Sequence, residues 1–472
     1  MKNLNKQTSK QGVEQDFILS PLVAKFGGTS MENAQSISQV AEIINGYDAV
    51  VAVVSATSGT TDQLIELGEK ALSGENWEEG FQNLVSKHEK IIEELEIDLD
   101  LSPYFENLRK LLQGISLILE LSLSAKDRLL TFGERISSQI LAKLLNSEAI
   151  DAYELVFADN NYGEGNVDFE KTEKAILAKV NPAEKPVITG FVAQSEEGHY
   201  ITLGRGGSDY TGAIVASALN ASELQIWTDV DGILNTDPRI VEDAKVLKQL
   251  SFLEAGELAY FGAKVLHPKT IKPAVAKNIP VKILNTFNPS APGTLIKNDE
   301  EESIKSVTYK KGISIVNVCS AACLEAPGFL SKLFEVFSRN KISVDVVSTS
   351  EVSVSVTVDC EIPETLISEL EEFSTVKVLK GMAIICLVGN GIKSHTEVLG
   401  DLFTAVKGHN INMVSQGASQ RNITFLVNEA EATEVVKKVF NKFFYDERSD
   451  SRRDWRSWKR NAEMPRGTRI SH

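Results

Sequence analysis

The 472-residue sequence predicts an α/β protein written in two styles: a large α/β domain with its ligand site at the carboxyl ends of the strands, then a tandem of small α+β units. Three observations carry this. Near the N-terminus, two short apolar strands each run into a Gly/Ser/Thr turn and then a helix. A charged, acidic stretch, Asn298 to Ser303, breaks the chain. Beyond it a β-α-β-β-α-β pattern of about 60 residues is read twice.

Taken in order, residues 1–20 form a polar leader without an apolar signal region. Leu22 to Phe26 is a short buried strand ending at Gly27-Gly28-Thr29-Ser30, and Glu32 to Ile44 has helical apolar spacing. Ala49 to Val54 is a second β-branched strand, followed by Ser55-Ala56-Thr57-Ser58-Gly59. Residues from about Gln63 to Asn146, rich in Leu, Glu and Lys, read as a helical insertion or cover. Strands resume at Pro186 to Val192, Tyr200 to Leu203, Leu224 to Thr228 and Val281 to Leu284, alternating with helices at Tyr210 to Leu219 and Gln249 to Phe261. The first domain therefore spans 21–298. The two repeat units occupy 310–378 and 380–444, and 445–472 is a basic tail expected to be solvated.

At 42% hydrophobic and 24% charged residues the composition is that of an ordinary globular chain, and a length near 470 allows about three domains. No apolar run approaches the 18 or so residues of a membrane helix, so neither a spanning nor a secreted protein is expected. Cys319, Cys323, Cys360 and Cys386 form no CxxC pair and read as buried free thiols, consistent with a reducing, cytoplasmic setting. A net charge of −16 argues against nucleic acid as the main partner. The tail from Asp446 runs the other way, with eight Lys/Arg against five Asp/Glu. Anionic substrates would therefore need locally placed cations and backbone N–H groups.

Lys25 beside Gly27-Gly28-Thr29-Ser30 has the logic of a phosphate cradle, although a tight turn with a snorkelling lysine fits too. It is no Walker A loop, because the lysine precedes the glycines. The densest signal is Gly204-Arg205-Gly206-Gly207-Ser208-Asp209: an arginine fork for a carboxylate or phosphate, then Ser208 and Asp209 opening a helix. Asp209 suits an ammonium group or a metal ion. Trp227-Thr228-Asp229-Val230-Asp231-Gly232, with Arg239 downstream, places polar groups and a cation past a strand. Lys264, in Phe261-Gly262-Ala263-Lys264-Val265-Leu266-His267-Pro268, is a further cation, and His267 reads as structural. Glu134, after Gly133, is either functional or a carboxylate favouring a helix N-terminus.

These motifs, in this order and followed by a tandem of small modules, resemble aspartate kinase (aspartokinase), and the resemblance spans about Leu22 to Phe444. It implies an amino-acid-kinase α/β/α sandwich followed by two ACT domains, without the second catalytic domain of the homoserine-dehydrogenase fusions. It also implies ATP-dependent phosphorylation of the side-chain carboxylate of L-aspartate, with Mg²⁺. By the same resemblance Lys25 and Asp209 are catalytic, and Thr61, Glu134, Arg205 and Ser208 bind substrate. Lys25, Gly27, Gly28, Thr228, Asp229, Arg239, Lys264 and Val265 contact ATP. No residue is assigned as a protein metal ligand. One departure is Leu234, where many family members carry Tyr in the nucleotide loop.

In the first small module, Ala326-Pro327-Gly328-Phe329-Leu330 and the segment Ser343 to Glu351 resemble the lysine-sensitive, monofunctional type. This implies L-lysine as an inhibitor, held by Phe329, Leu330, Val344, Asp345 and Ser350, with Asp345 pairing the effector ammonium. It further implies a homodimer or larger assembly through the ACT domains. Two other readings remain open at this point: a relative acting on glutamate, carbamate or a nucleotide, and a catalytically silent amino-acid sensor.

Overall fold

Two strands set the frame. β1 (Leu22–Phe26) and β2 (Val50–Val54) pair in parallel, and their side chains divide between two cores. Val23, Val51 and Val53 face one, while Ala24, Phe26, Val50, Ala52 and Val54 face the other. A parallel strand covered on both faces has no polar side, which is why these segments read as continuous apolar runs. The structure, a computed structural model, describes residues 20–261, 269–298, 302–319, 328–417 and 419–445. The leader to Leu19, the segment 262–268 with Lys264, Val265 and His267, Cys323, Ala326, Pro327 and the tail from Asp446 lie outside the described residues.

The first domain continues β1 and β2 with β3 (Ala149–Ile150), β4 (Val187–Thr189), β5 (Val192–Gln194), β6 (Tyr200–Thr202), β7 (Glu223–Thr228), β8 (Gln249–Leu250), β9 (Val281–Asn285) and β10 (Thr294–Ile296). All but β5 and β6, which form a hairpin of their own, join one eight-stranded sheet in the order β3-β4-β2-β1-β7-β9-β10-β8. Helices α1 (Ala34–Asn45), α2 (Thr60–Ser73), α3 (Glu78–Glu94), α4 (Ser102–Ile118), α5 (Leu123–Leu130) and α6 (Phe132–Leu145) include the expected helical cover, whose apolar faces build one of the two cores. Then come α7 (Phe169–Lys179), α8 (Gly207–Ala218), α9 (Phe252–Tyr260) and α10 (Lys272–Ala276), with α8 in the other core.

Two expectations need correction here. The strand read over Pro186 to Val192 is interrupted at Gly190 and Phe191, whose φ of 69° is left-handed, so β5 leaves the main sheet for the hairpin. The helix read from Gln249 starts later, because Ser251 caps it: its hydroxyl accepts from Glu254 N–H while the Glu254 carboxylate accepts from Ser251 N–H.

The C-terminal region holds β11 (Ser303–Cys319), α11 (Phe329–Arg339), β12 (Val347–Thr349), β13 (Ser353–Val358), α12 (Glu364–Glu371), β14 (Thr375–Asn390), α13 (Thr396–Ala405), β15 (Met413–Gln416), β16 (Asn422–Asn428) and α14 (Ala432–Phe440). It forms one six-stranded sheet, β12-β13-β11-β14-β16-β15. β11 and β14, 17 and 16 residues long, pair antiparallel from Ser303↔Asn390 to Cys319↔Thr375. Each carries a left-handed glycine near its middle, Gly312 (φ 74°) and Gly381 (φ 72°), where the register shifts.

This corrects the reading of two sequential copies. In the first, β12, β13 and the later half of β11 are closed by Thr375 to Leu379. The second, β15, β16 and the later half of β14, is closed by Ser303 to Lys310, a strand that precedes the first copy in the chain. A periodicity argument cannot see this, because the missing strand lies some 70 residues upstream and its apolar pattern fits either copy. Within Ser343 to Glu351 only Val347–Thr349 is a strand, although Asp345 N–H still bonds Thr357 C=O. Helices α11 to α14 cover one face of this sheet, and Ile313, Ile315, Ile384 and Cys386 on the other join the core of the first domain.

Among the described cysteines Cys386 is buried, but Cys319 and Cys360 are exposed at strand ends rather than buried within strands. No helix among the described residues is long and apolar enough to cross a membrane.

Candidate active site

The turns that leave β1, β2, β6 and β7 converge on a cavity of about 870 Å³. Its lining includes Lys25, Gly27, Gly28, Thr61, Glu134, Arg205, Ser208, Asp209, Thr228 and Asp229, so nearly all of the residues singled out in the first domain meet here. The turns after β1, β2 and β7 meet because parallel strands deliver every following turn to the same edge of the sheet. The turn after β6 joins them because the separate β5–β6 hairpin is tied to that edge by Gly190 N–H bonding the Val54 carbonyl.

Lys25, the one polar residue of β1, is 8% exposed, and its Nζ lies 2.6 Å from Asp209 Oδ1. The contact is an ion pair without hydrogen-bond alignment, and Asp209 Oδ1 accepts from no other group. Asp209 stands in the first turn of α8, which starts at the left-handed Gly206 (φ 73°). Gly190 is required by the same packing: a Cβ there would sit 2.6 Å from Ser208 Cβ and 2.8 Å from the Val54 carbonyl oxygen. Arg205 is exposed and makes no ion pair or hydrogen bond with a described residue, leaving its guanidinium for an anion.

Glu134 is the inverse case. It is buried on α6, Oε2 has no partner, and burial pushes its pKa up to about 7 against the opposing pull of the Ala56 and Glu134 N–H groups and Lys25. An acid in that state is poised to take a cation. Thr228 donates to Asp229 at 3.1 Å, and Thr61 lines the rim beside Gly59.

Not every expected residue is here. Arg239 is 85% exposed, pairs with Asp237 at 2.7 Å, and lines a second cleft of about 810 Å³ with Leu234, Thr308 and Lys310. That cleft is walled partly by β11 of the C-terminal sheet. Sequence reasoning misses Asp127, a buried wall residue on α5 that accepts from Gly163 N–H (2.8 Å) and Thr202 N–H (2.9 Å) and whose pKa burial raises. Nothing marks it in Ser124-Ala125-Lys126-Asp127-Arg128, since its donors come from a loop and a strand end 36 and 75 residues away.

In the C-terminal sheet, Phe329 opens α11 and packs edge-on against Phe373, Leu330 is exposed, and Val344 is half-buried. Ser350 Oγ bonds Ser353 Oγ at 2.8 Å. Asp345 is not an open acid: its carboxylate already takes the Tyr260 hydroxyl (2.5 Å) from α9 and Lys310 Nζ (3.3 Å), which also holds Asp359 (2.7 Å).

Fold and cleft together define an amino acid kinase joined to a double regulatory module. The amino acid kinase family pattern matches residues 20–285 and the ACT domain pattern matches 316–368 and 385–443. Chloroplastic aspartokinase 1 of Arabidopsis thaliana is 38% identical over 457 residues, which cover 89% of this chain and 80% of that protein. Lysine-sensitive aspartokinase 3 of Escherichia coli K12 is 34% identical over 452 residues, 90% of this chain and 99% of that one. The crystal structure of E. coli aspartokinase III with aspartate and ADP (R-state) superposes with a TM-score of 0.79 at 31% identity, covering 90% of this chain and all of the other. The chain belongs to the aspartokinase family, ATP-dependent kinases of aspartate.

Proposed function

We propose that this enzyme transfers the γ-phosphoryl group of ATP to the side-chain carboxylate of L-aspartate, giving 4-phospho-L-aspartate and ADP, the first step towards lysine, threonine and methionine. The observation that carries the reading is one cavity holding a fixed cation, Lys25, an unpaired cation, Arg205, and an unpaired buried acid, Glu134. An amino acid with two carboxylates and one ammonium needs that set. Arg205 forks the α-carboxylate, Glu134 takes the ammonium, and Thr61 and Ser208 complete the pocket. The side-chain carboxylate then lies towards Lys25, against the phosphates cradled by Gly27 and Gly28.

A carboxylate oxygen attacks the γ-phosphorus as the bond to the β,γ-bridging oxygen breaks, and that oxygen leaves with the electron pair on ADP. Both reactants are anionic, so catalysis is positioning plus charge stabilisation. Lys25 supplies the stabilising charge, and Asp209 holds its ammonium in place. Thr228, Asp229, Lys264 and Val265 are the proposed contacts to the rest of the nucleotide, and Arg239 joins them by leaving Asp237 for a nucleotide that extends towards the second cleft. A Mg²⁺ ion held mainly by the ATP phosphates would take protein ligands from cavity-lining carboxylates such as Asp209 and Asp229. Bound there, the ion neutralises phosphate oxygen charge.

The proposed effector is L-lysine, supported by the lysine-sensitive relative, and its site is built from Phe329, Leu330, Val344, Asp345 and Ser350. A lysine ammonium reaching Asp345 must displace Tyr260 or Lys310. Tyr260 ends α9, so the effector competes with a contact between the first domain and the C-terminal sheet. Assembly into a dimer or larger is supported by β12, an edge strand of the sheet, with Val347 40% and nearby Val352 58% exposed. A cytoplasmic location goes with this reading.

The test is ATP- and Mg²⁺-dependent acyl phosphate formation from L-aspartate, trapped with hydroxylamine, with and without L-lysine and L-threonine. Product suppressed by lysine is the expected result. Lys25→Met should lower turnover by about 10²- to 10³-fold, the typical loss for a transition-state charge partner; retained turnover would overturn its role.

A further inference from the structure

The turn between β2 and α2 touches three parts of the cleft at once. A Cβ on Gly28 would meet the Ala56 carbonyl oxygen at 3.4 Å and Ser58 Cα at 3.8 Å. The Ala56 N–H faces the Glu134 carboxylate and pulls its pKa down. Thr57, Ser58, Gly59 and Thr61 line the cavity themselves. Whatever holds this turn therefore sets the spacing between the phosphate cradle, the acid and the substrate rim.

We infer that Thr57, Lys87 and His88 are positioning residues for phosphoryl transfer, clamping this turn from behind through a hydrogen-bond chain whose direction is determined at each link. The inference rests on the reading that the turn faces the substrate. Lys87 and His88 come from α3, outside the cavity. The Lys87 ammonium donates to the Ser58 carbonyl (2.6 Å) and to Thr60 Oγ1 (3.0 Å). His88 Nδ1 lies 2.8 Å from the Leu84 carbonyl, which only accepts, so Nδ1 carries the ring proton. In the neutral ring Nε2 must accept, and the Thr57 hydroxyl is 3.0 Å away. The single proton of Thr57 goes there. The 2.5 Å contact between Thr57 and Thr60 is then Thr60 donating to Thr57.

The chain runs Lys87 to Thr60 to Thr57 to His88 to Leu84, each hydroxyl donating once. Thr57, Thr60 and His88 are each at most 1% exposed, so a broken link would have no water to replace it. The low-polarity surroundings also hold the ring in the neutral form that the chain requires, its pKa pushed down to about 4 by burial.

Four single variants and one double variant test this, read as kcat, KM for aspartate and melting temperature. Thr57→Val and His88→Phe each remove one link at near-constant volume, and each should lower kcat/KM for aspartate by about 10- to 100-fold through a misplaced turn. Thr57→Ser and His88→Gln keep the hydroxyl and the acceptor, and should stay within about threefold of the parent. The Thr57→Val/His88→Phe double variant should be no worse than the poorer single, since one chain is broken once. The inference is overturned if folded Thr57→Val and His88→Phe retain parental kinetics, or if their losses multiply in the double variant. If either does not fold, parent-like kinetics in Thr57→Ser and His88→Gln support the chain and a loss of tenfold or more in them overturns it. Parental kinetics here with Lys25→Met inactive would fail this inference alone, whereas an active Lys25→Met would fail the reading beneath it.

Discussion

The cleft of the first domain and the junction with the C-terminal sheet treat charged groups in opposite ways. In the cleft, Glu134 Oε2 has no partner and Arg205 pairs with no described acid. At the junction, Lys310 holds both Asp345 and Asp359, and Tyr260 completes Asp345. An unpaired charge in a pocket costs free energy that a ligand of the right chemistry relieves. A satisfied cluster between two domains costs little until something displaces one member. The first arrangement is built to bind, the second to be switched.

The largest test of this contrast is Arg205→Met. If the guanidinium is the free fork for the α-carboxylate, kcat/KM for aspartate should fall about 10²-fold with little change in melting temperature, because no described contact is lost. A loss below threefold would mean that Arg205 is surface charge only. Gly190→Ala should come next. Its Cβ overlaps Ser208 and the Val54 carbonyl, so overpacking should cost about 1–3 kcal/mol in urea unfolding and raise KM for aspartate, whereas a neutral result would show that the two turns part without consequence.

Glu134 gives a pH signature. Its pKa is raised from 4.5 to about 7, so the folded protein binds an extra proton between these values and the group's contribution to stability falls as pH rises through that window. Binding of the aspartate ammonium needs the charged form. Calorimetric affinity for aspartate without nucleotide should therefore drop as pH falls below 7, by up to about tenfold per unit, and become flat in Glu134→Gln. A pH-independent parent would remove the acid from the ammonium site.

The smallest effect belongs to the junction. Tyr260→Phe deletes one hydroxyl from Asp345, which should make lysine a stronger inhibitor by about three- to tenfold, within the usual 1–3 kcal/mol of allosteric coupling, at unchanged basal turnover. Unchanged inhibition would place the competing contact elsewhere.

Much of the cleft is legible in one dimension. Lys25, Gly27 and Gly28, Arg205 to Asp209, and Thr228 and Asp229 are recognisable because glycines and polar residues interrupt or follow apolar strands, whereas Glu134 is marked by Gly133 at a helix start and Thr61 only by the family resemblance. Arg239 groups with them along the chain yet lies in a separate cleft, paired to Asp237, since a loop's sequence does not say which way its arginine swings. Asp127 and His88 escape notice for the converse reason. Each sits in an ordinary helix, and its meaning comes from backbone and hydroxyl partners supplied by distant segments.

Whatever local physics governs can be read from the amino-acid order alone: the apolar strands, the turn chemistry at their ends and the repeated α+β pattern beyond residue 300. Three choices are made in the folded molecule and nowhere else: which strand closes which module, which acid meets Lys310, and which hydroxyl His88 receives. Backbone propensity and periodicity act over a few residues, whereas strand pairing and buried charge choose partners across the whole chain by register, burial and hydrogen-bond satisfaction.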